Sequence, residues 1–464
     1  MIKTILVNKQ NPIKESFYKK IDLIDIVTED NTETKIEKET YQSYLELKKY
    51  LEEKNIYIEI DSAYRSIKHQ QELYNEFCDK YGKEYANSVV AEPTKSEHHT
   101  GLAIDLSIKN EFGYIEEDNY ELYHKTYNEI HKYLKDFGFI LRYPKEKEHI
   151  TKYPYEPWHI RYVGEFVSKI IAENNYTLEE YLTDFSAVIL VNKEKDMTSF
   201  DVVNEIQHLY GIKKVGHTGT LDPLAEGVLI VAIGKATKVV ELLTASYKEY
   251  IADVELGKLT DTLDITGQII SEKEIPSLSN LDEVIRSFKK TYLQEVPIYS
   301  AVKVNGKKLY EYARNNLEVE LPKKEVTIKE IELLSSTEKT FKFKTLVSKG
   351  CYIRSLINDI GNALNTYATM TTLIRTKQGK VTLEDTYKLS EIRKNLHKTY
   401  QIDEVLDLPT IIVDDETANK IRTGQKISNK YDIKDKVIFK DNQGQILGIY
   451  ELQNNILAVW KNFV

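Results

Sequence analysis

A chain of 464 residues, 41% of them hydrophobic, is too long for one ordinary core and is expected to fold as two to four globular domains. Its two cysteines, Cys78 and Cys351, argue against a disulfide framework. No run of about eighteen apolar residues exists to cross a bilayer, and the segment Met1–Asn8 is too short for a signal sequence, so a cytoplasmic protein with no membrane partner is expected. The net charge of −9 is uneven: residues 1–184 carry 25 Lys+Arg against 35 Asp+Glu, whereas residues 185–464 carry 39 against 38. This acidity argues against RNA binding by the first part but not by the second.

In the first part, Ile56, Ile58 and Ile60 alternate, which predicts a strand over 56–61. Ser66–Tyr81 reads as a helix closed by Gly82, and Tyr123, Tyr127, Ile130, Leu134 and Phe137 recur at helical spacing up to Gly138, so the part is α+β. Two polar clusters stand out, Ser96-Glu97-His98-His99-Thr100-Gly101-Leu102-Ala103-Ile104-Asp105 and Glu156-Pro157-Trp158-His159. The alternation from Leu102 to Leu106 puts Asp105 on the face opposite its apolar neighbours, where His98 can converge on it. Two histidines and one aspartate form a three-ligand zinc set with a fourth position open for water, and Glu156 is placed to take that water's proton. Any one of these histidines alone would more commonly be an ordinary surface or core residue.

The joint pattern Ser-x-His-x-x-Gly-x-Ala-x-Asp with Glu-x-Trp-His resembles the VanY-type D-alanyl-D-alanine carboxypeptidases over residues about 40–170. Ala63-Tyr64-Arg65-Ser66 with Gln70-Gln71, and Phe139-Ile140-Leu141-Arg142-Tyr143-Pro144, carry the same resemblance. It implies zinc ligands His98, Asp105 and His159, Glu156 as general base, Arg65 facing the developing oxyanion, and Ser96 binding the carboxylate of a D-Ala-D-Ala peptide. His99 stands where that family commonly has Gln.

From Val188 a new strand begins, and no Gly/Ser/Pro-rich linker precedes it. Gly216-His217-Thr218-Gly219-Thr220-Leu221-Asp222-Pro223-Leu224-Ala225-Glu226-Gly227 presents one acid and one histidine on a loop, and the apolar run 228–233 reads as a buried strand behind it. An isolated Asp-Pro is ordinarily only a turn cap. The motif resembles the catalytic segment of the bacterial tRNA pseudouridine synthase B family, which isomerises uridine 55 of the T-loop. That resemblance implies Asp222 as the catalytic aspartate, Tyr250 as the active-site tyrosine and Arg354 as the partner of Asp222. It also implies Leu373 against the target base, and His217, Lys193 and Tyr352 as RNA-binding residues. The opening loop Asn192–Ser199 departs from the family's Lys-Pro-x-Gly pattern at Glu194 and Asp196, two acids expected to repel phosphate. Ser199 is expected to cap the helix that follows. Breaking a C–N bond, turning the base and closing a C–C bond calls for a carboxylate, a cation beside it and a dry pocket, with no cofactor.

Strands over 436–440, 445–452 and 456–461 close the chain. The organisation expected is a zinc peptidase α+β domain (1–183), a synthase domain with a mixed or antiparallel central sheet (184–403), and a small β-rich, PUA-like RNA-binding domain (404–464). The competing reading is a zinc D,D-peptidase whose synthase part serves only as an RNA-binding module or chaperone.

Overall fold

The computed structural model describes residues 2–28, 31–110, 113–115 and 123–463. It divides into two compact units, residues 1–185 with 205–214, and residues 186–204 with 215–464.

The first unit is built on an antiparallel sheet in the order β1 (Tyr57–Ser62), β2 (Ala103–Asn110), β4 (His159–Tyr162), β3 (Phe139–Leu141). The helix α1 (Lys38–Glu52) buries Thr40, Tyr44, Leu47 and Leu51, one side chain per turn, toward the core. That core also contains Ile58, Ile60, Leu102, Ile104, Leu106, Tyr127 and Ile160. The helix α2 (Ile67–Tyr81) starts and stops where the sequence indicates: the Ser66 side chain accepts from His69 N–H, and Gly82 ends it at φ 86°. The helix expected up to Gly138 is instead two pieces, His124–His131 and a 3₁₀ turn Leu134–Phe137, and the tighter second piece sets Leu134 in the core.

The second unit carries a nine-stranded sheet. Its main path runs β8 (Thr291–Glu295), β9 (Lys323–Ser336), β10 (Thr340–Val347), β7 (Lys248–Leu256), β11 (Ala368–Gln378), β6 (Glu226–Gly234), β5 (Ser186–Lys193). Along this path only β6 and β11 run parallel, with Gly227 opposite Arg375, so the sheet is mixed as the sequence suggested. β6 is apolar on both faces, buried from Gly227 to Ile233, which is why its sequence is a continuous apolar run without alternation. By contrast β10 alternates fully, with Phe341, Phe343, Thr345 and Val347 inward. The helix α3 (Ile353–Ala363) buries Ile353, Leu356, Ile357 and Ile360.

The last strands form a five-stranded sheet. Val437 and Phe439 face the core of this C-terminal part, with Ala418, Ile421, Leu447 and Leu457. Their neighbour Ile438, on the other face, joins Ile446 and Ile449 in a second cluster with Val188, Leu190, Val228 and Ile230. The terminal sheet is therefore fastened to the back of β5 and β6, and β6 directly follows the Asp222 loop.

Gly227 occupies φ 102°, and a Cβ there would stand 2.2 Å from the Arg375 carbonyl oxygen on β11. Neither strand can yield without losing the parallel pairing. Gly227→Ala is expected to destabilise the second unit by about 3 kcal/mol in chemical denaturation; a change below about 0.5 kcal/mol would show that the close approach is not enforced.

Candidate functional sites

The first site lies where β2 and β4 pair. Asp105 and His159 are direct cross-strand partners, and both side chains are buried. His98 reaches them from a 3₁₀ turn, Glu97–Thr100, that ends at Gly101. Gly101 sits at φ 68°, and a Cβ there would meet Leu23 at 2.5 Å, so the turn requires glycine. His98 Nδ1 is 2.6 Å from the Ala63 carbonyl, so it donates and leaves Nε2 as a lone pair 3.0 Å from Asp105 Oδ2. His159 Nδ1 lies 2.9 Å from Asp105 Oδ1. Donor atoms of the three residues lie within 4.8 Å of one another.

Asp105 Oδ1 is buried, and the His159 ring 2.9 Å away is not angled to donate a hydrogen bond to it, so this oxygen is one that a cation would satisfy. The donor set of two imidazoles and one carboxylate fits Zn²⁺. His99 is excluded from it: Nδ1 faces the Arg65 carbonyl at 2.6 Å and Nε2 accepts from Thr94 N–H, so both ring nitrogens are taken by the backbone.

Glu156 Oε2 stands 3.7 Å from His159 Nδ1, and burial pushes its carboxyl up to about 7, with His159 opposing and Asp105 and Glu97 adding to the rise. Arg65 and Ser96 line the same cavity of about 560 Å³, walled by Tyr143, Tyr153 and Trp158. Arg65 is aimed by Ser62 Oγ and Gln70 Oε1.

Glu97 was not singled out from sequence. It is fully buried between Arg142 and Arg161, accepting from both at 2.8 and 2.7 Å, and its other oxygen faces His159 Nε2 at 3.8 Å. Arg142 also holds Glu179 through two bonds. Its only sequence signal was its place inside the histidine cluster.

The second site is a cavity of about 300 Å³ bordered by Asp222, Tyr250, Tyr352, Arg354 and Leu373. Arg354, 132 residues beyond Asp222 in sequence, meets it at 2.9 Å. Its guanidinium also donates to the carbonyls of Thr262 (3.0 Å) and Tyr299 (3.1 Å), with Asp264 Oδ2 at 3.9 Å. Arg354 is 6% exposed at the side chain, buried where its donors meet these acceptors. Tyr250 accepts from Arg375 Nε at 3.1 Å.

Three residues stand elsewhere than the sequence suggested. Lys193 is fully buried, and its ammonium donates to the carbonyls of Glu194, Met197 and Pro223. It clamps the loop behind Asp222 and does not present itself to phosphate; burial lowers it to about 8 against the pull of Glu226 and Asp222. His217 takes Gly219 N–H on Nδ1, which braces the turn, and it is not among the side chains lining the cavity. Ser199 does not cap its helix. Its hydroxyl exchanges hydrogen bonds with Leu221 N and O, beside Asp222, while Thr198 and Asp201 make the reciprocal cap. Asp196 sits at φ 66°, a conformation its short polar side chain tolerates, so the loop keeps the shape a glycine would give.

The comparisons with known proteins follow this division. Residues 207–353 match the model of the TruB family pseudouridylate synthase N-terminal domain, and 354–417 that of the tRNA pseudouridylate synthase B C-terminal domain. A tRNA pseudouridine synthase B from Caldanaerobacter subterraneus subsp. tengcongensis is 42% identical over 266 residues, covering 56% of this chain and 93% of that relative. The chain belongs to the tRNA pseudouridine synthase B family. The synthase of Fusobacterium nucleatum subsp. nucleatum is 50% identical over 198 residues, 42% of this chain and 69% of its own. Ahead of the synthase, residues 33–165 match the VanY D-alanyl-D-alanine carboxypeptidase model, so the protein is a fusion of the two. A solved vancomycin resistance D,D-pentapeptidase in complex with Zn(II) is 30% identical, covering 39% of this chain and 100% of that one at a TM-score of 0.34.

Because Lys193 holds carbonyls, Lys193→Met is expected to lower kcat of pseudouridine formation by roughly tenfold or more while the affinity for substrate RNA stays within about threefold. A phosphate contact would behave oppositely, weakening binding and reducing the salt slope by about 1.

Proposed function

We propose that the second unit isomerises uridine 55 in the T-loop of tRNA to pseudouridine, with Asp222 as the reacting carboxylate. The observation that carries this reading is the 2.9 Å pairing of Asp222 with a buried Arg354 at the edge of a cavity that also presents Tyr250 and Leu373. The target nucleoside is flipped out of the T-loop into this cavity, at a cost of a few kcal/mol repaid by contacts. Leu373 and Tyr250 flank the base, and the walls keep water from the detached base while it turns. Asp222, oriented by Arg354, acts at the ribose. Tyr352 and Lys349 border the cavity and face the RNA, whereas the Lys248 ammonium is held by the carbonyls of Thr244 and Ser246. The C-terminal part, residues 404–464, extends the RNA-binding surface and buttresses β5 and β6. The reading of this unit as a binding module without turnover is disfavoured by the intact Asp222–Arg354–Tyr250 set.

The N-terminal part, residues 1–183, acts in this reading as a zinc-dependent D-alanyl-D-alanine carboxypeptidase. The orphaned Asp105 Oδ1 amid three converging donors supports this reading. His98, Asp105 and His159 would hold Zn²⁺, which when bound supplies Lewis acidity and a water of pKa about 7. Glu156 takes and returns the proton. Arg65 faces the developing oxyanion, and Ser96 holds the carboxylate end of the peptide.

Two experiments test these assignments separately. On a T-arm stem-loop, Asp222→Asn is expected to reduce pseudouridine formation by about four orders of magnitude without weakening RNA binding more than a few-fold. Wild-type protein that leaves the uridine unchanged would refute the assignment. For the first unit, D-Ala release from a D-Ala-D-Ala-terminated peptide is expected to require one bound zinc and to vanish on chelation or with Glu156→Ala, with pseudouridine formation unaffected. Release that persists in metal-free protein would overturn the peptidase assignment.

A further inference from the structure

Arg375, on β11, is 1% exposed, and among the described residues its side chain has no carboxylate partner. All three guanidinium nitrogens are nonetheless engaged. Nε meets the Tyr250 hydroxyl at 3.1 Å. NH1 meets the carbonyls of Gly219 (3.1 Å) and Val228 (3.2 Å) and Gln378 Oε1 (3.3 Å), and NH2 meets the Thr220 carbonyl at 2.9 Å. Gln378 is held in turn by Thr218 and by the Leu243 carbonyl.

A buried cation without an acid is costly, and a fold that needed only packing here would place an apolar side chain. The acceptors it meets are also not scattered. Two are the carbonyls of the turn that ends in Leu221-Asp222, and one is the phenol across the cavity. A guanidinium can only donate, so Tyr250 Oη is the acceptor in their contact and its own proton is left to point elsewhere. Tyr250 borders the cavity, and its side chain makes no second hydrogen bond among the described residues.

Building on the synthase reading, we propose that Arg375 is a positioning residue of the isomerisation: by taking the lone pair of Tyr250 it aims the Tyr250 O–H into the cavity, and by holding Gly219 and Thr220 it fixes the distance from that hydroxyl to Asp222. The planar, five-donor geometry is what the task needs, because one ammonium cannot reach the phenol and both carbonyls together.

The test is a double-mutant cycle read with a T-arm stem-loop. Arg375→Lys, which keeps the charge, is expected to lower kcat about 100-fold with KM and stem-loop affinity within about threefold. In the Tyr250→Phe background the same substitution is expected to cost less than about tenfold, because one of its two targets is already gone. Equal losses in both backgrounds, or a loss confined to KM, would overturn the proposal. Melting curves establish that each variant is folded. If Arg375→Lys does not fold, wild-type protein carrying 3,5-difluorotyrosine at position 250 decides: the alkaline limb of the kcat–pH profile is expected to move to lower pH with the more acidic phenol, and an unmoved limb would overturn the proposal. Wild-type protein inactive on the stem-loop would instead count against the synthase assignment itself, so the two failures are distinguishable.

Discussion

The synthase site depends on one ion pair that chain connectivity does not supply. Arg354 enters from the first turn of α3, Asp222 from the loop before β6, and the carbonyls of Thr262 and Tyr299 from two further loops. A guanidinium this buried needs acceptors on every side, and removing one partner of such a group commonly costs about 3–5 kcal/mol. Asp222 is 38% exposed, so the stability cost on its side is smaller, and its exposure is what leaves it open to a substrate. The convergence of these loops on Arg354 means that the site forms only when the sheet beneath it is assembled. The parallel junction of β6 and β11 is where that assembly is tightest, and it places Gly227, Val228 and Arg375 directly behind the turn.

The first unit solves a similar problem with a different device. Its converging donors are set by a cross-strand pair, Asp105 and His159, plus a glycine-terminated turn for His98. Behind them Glu97 is locked by two buried arginines, one of which reaches Glu179 in the helix Leu178–Asp184. Each charge in this network has an opposite partner, so burial is tolerated and the imidazole of His159 is backed by a fixed carboxylate.

The alternation of β10, the two caps of α2 and the apolar run of β6 are local properties, and these elements were legible in the sequence. So was the motif around Asp222, because its length is specific. What the sequence withheld was the acceptor that each polar side chain would meet. Lys193 reads as a surface cation beside an RNA path until three carbonyls are seen to surround it, and Ser199 reads as a cap until Leu221 is seen beside it. Arg375 stands two residues beyond Leu373, yet nothing in the sequence distinguishes an arginine that serves backbone carbonyls from one that serves solvent. The interruption of the helix before Gly138 was hidden for a related reason: the apolar spacing is helical, and only the packing of Leu134 shows that the last turn tightens.

The most direct test of the central claim, that the Asp222 carboxylate beside Arg354 performs the RNA chemistry, is mass mapping of modified uridines in cellular tRNA after deletion of the gene. The T-loop uridine is predicted to lose its modification, to regain it with the wild-type chain and to remain unmodified with Asp222→Asn. Full modification in the deletion strain, or full restoration by Asp222→Asn, would contradict the claim.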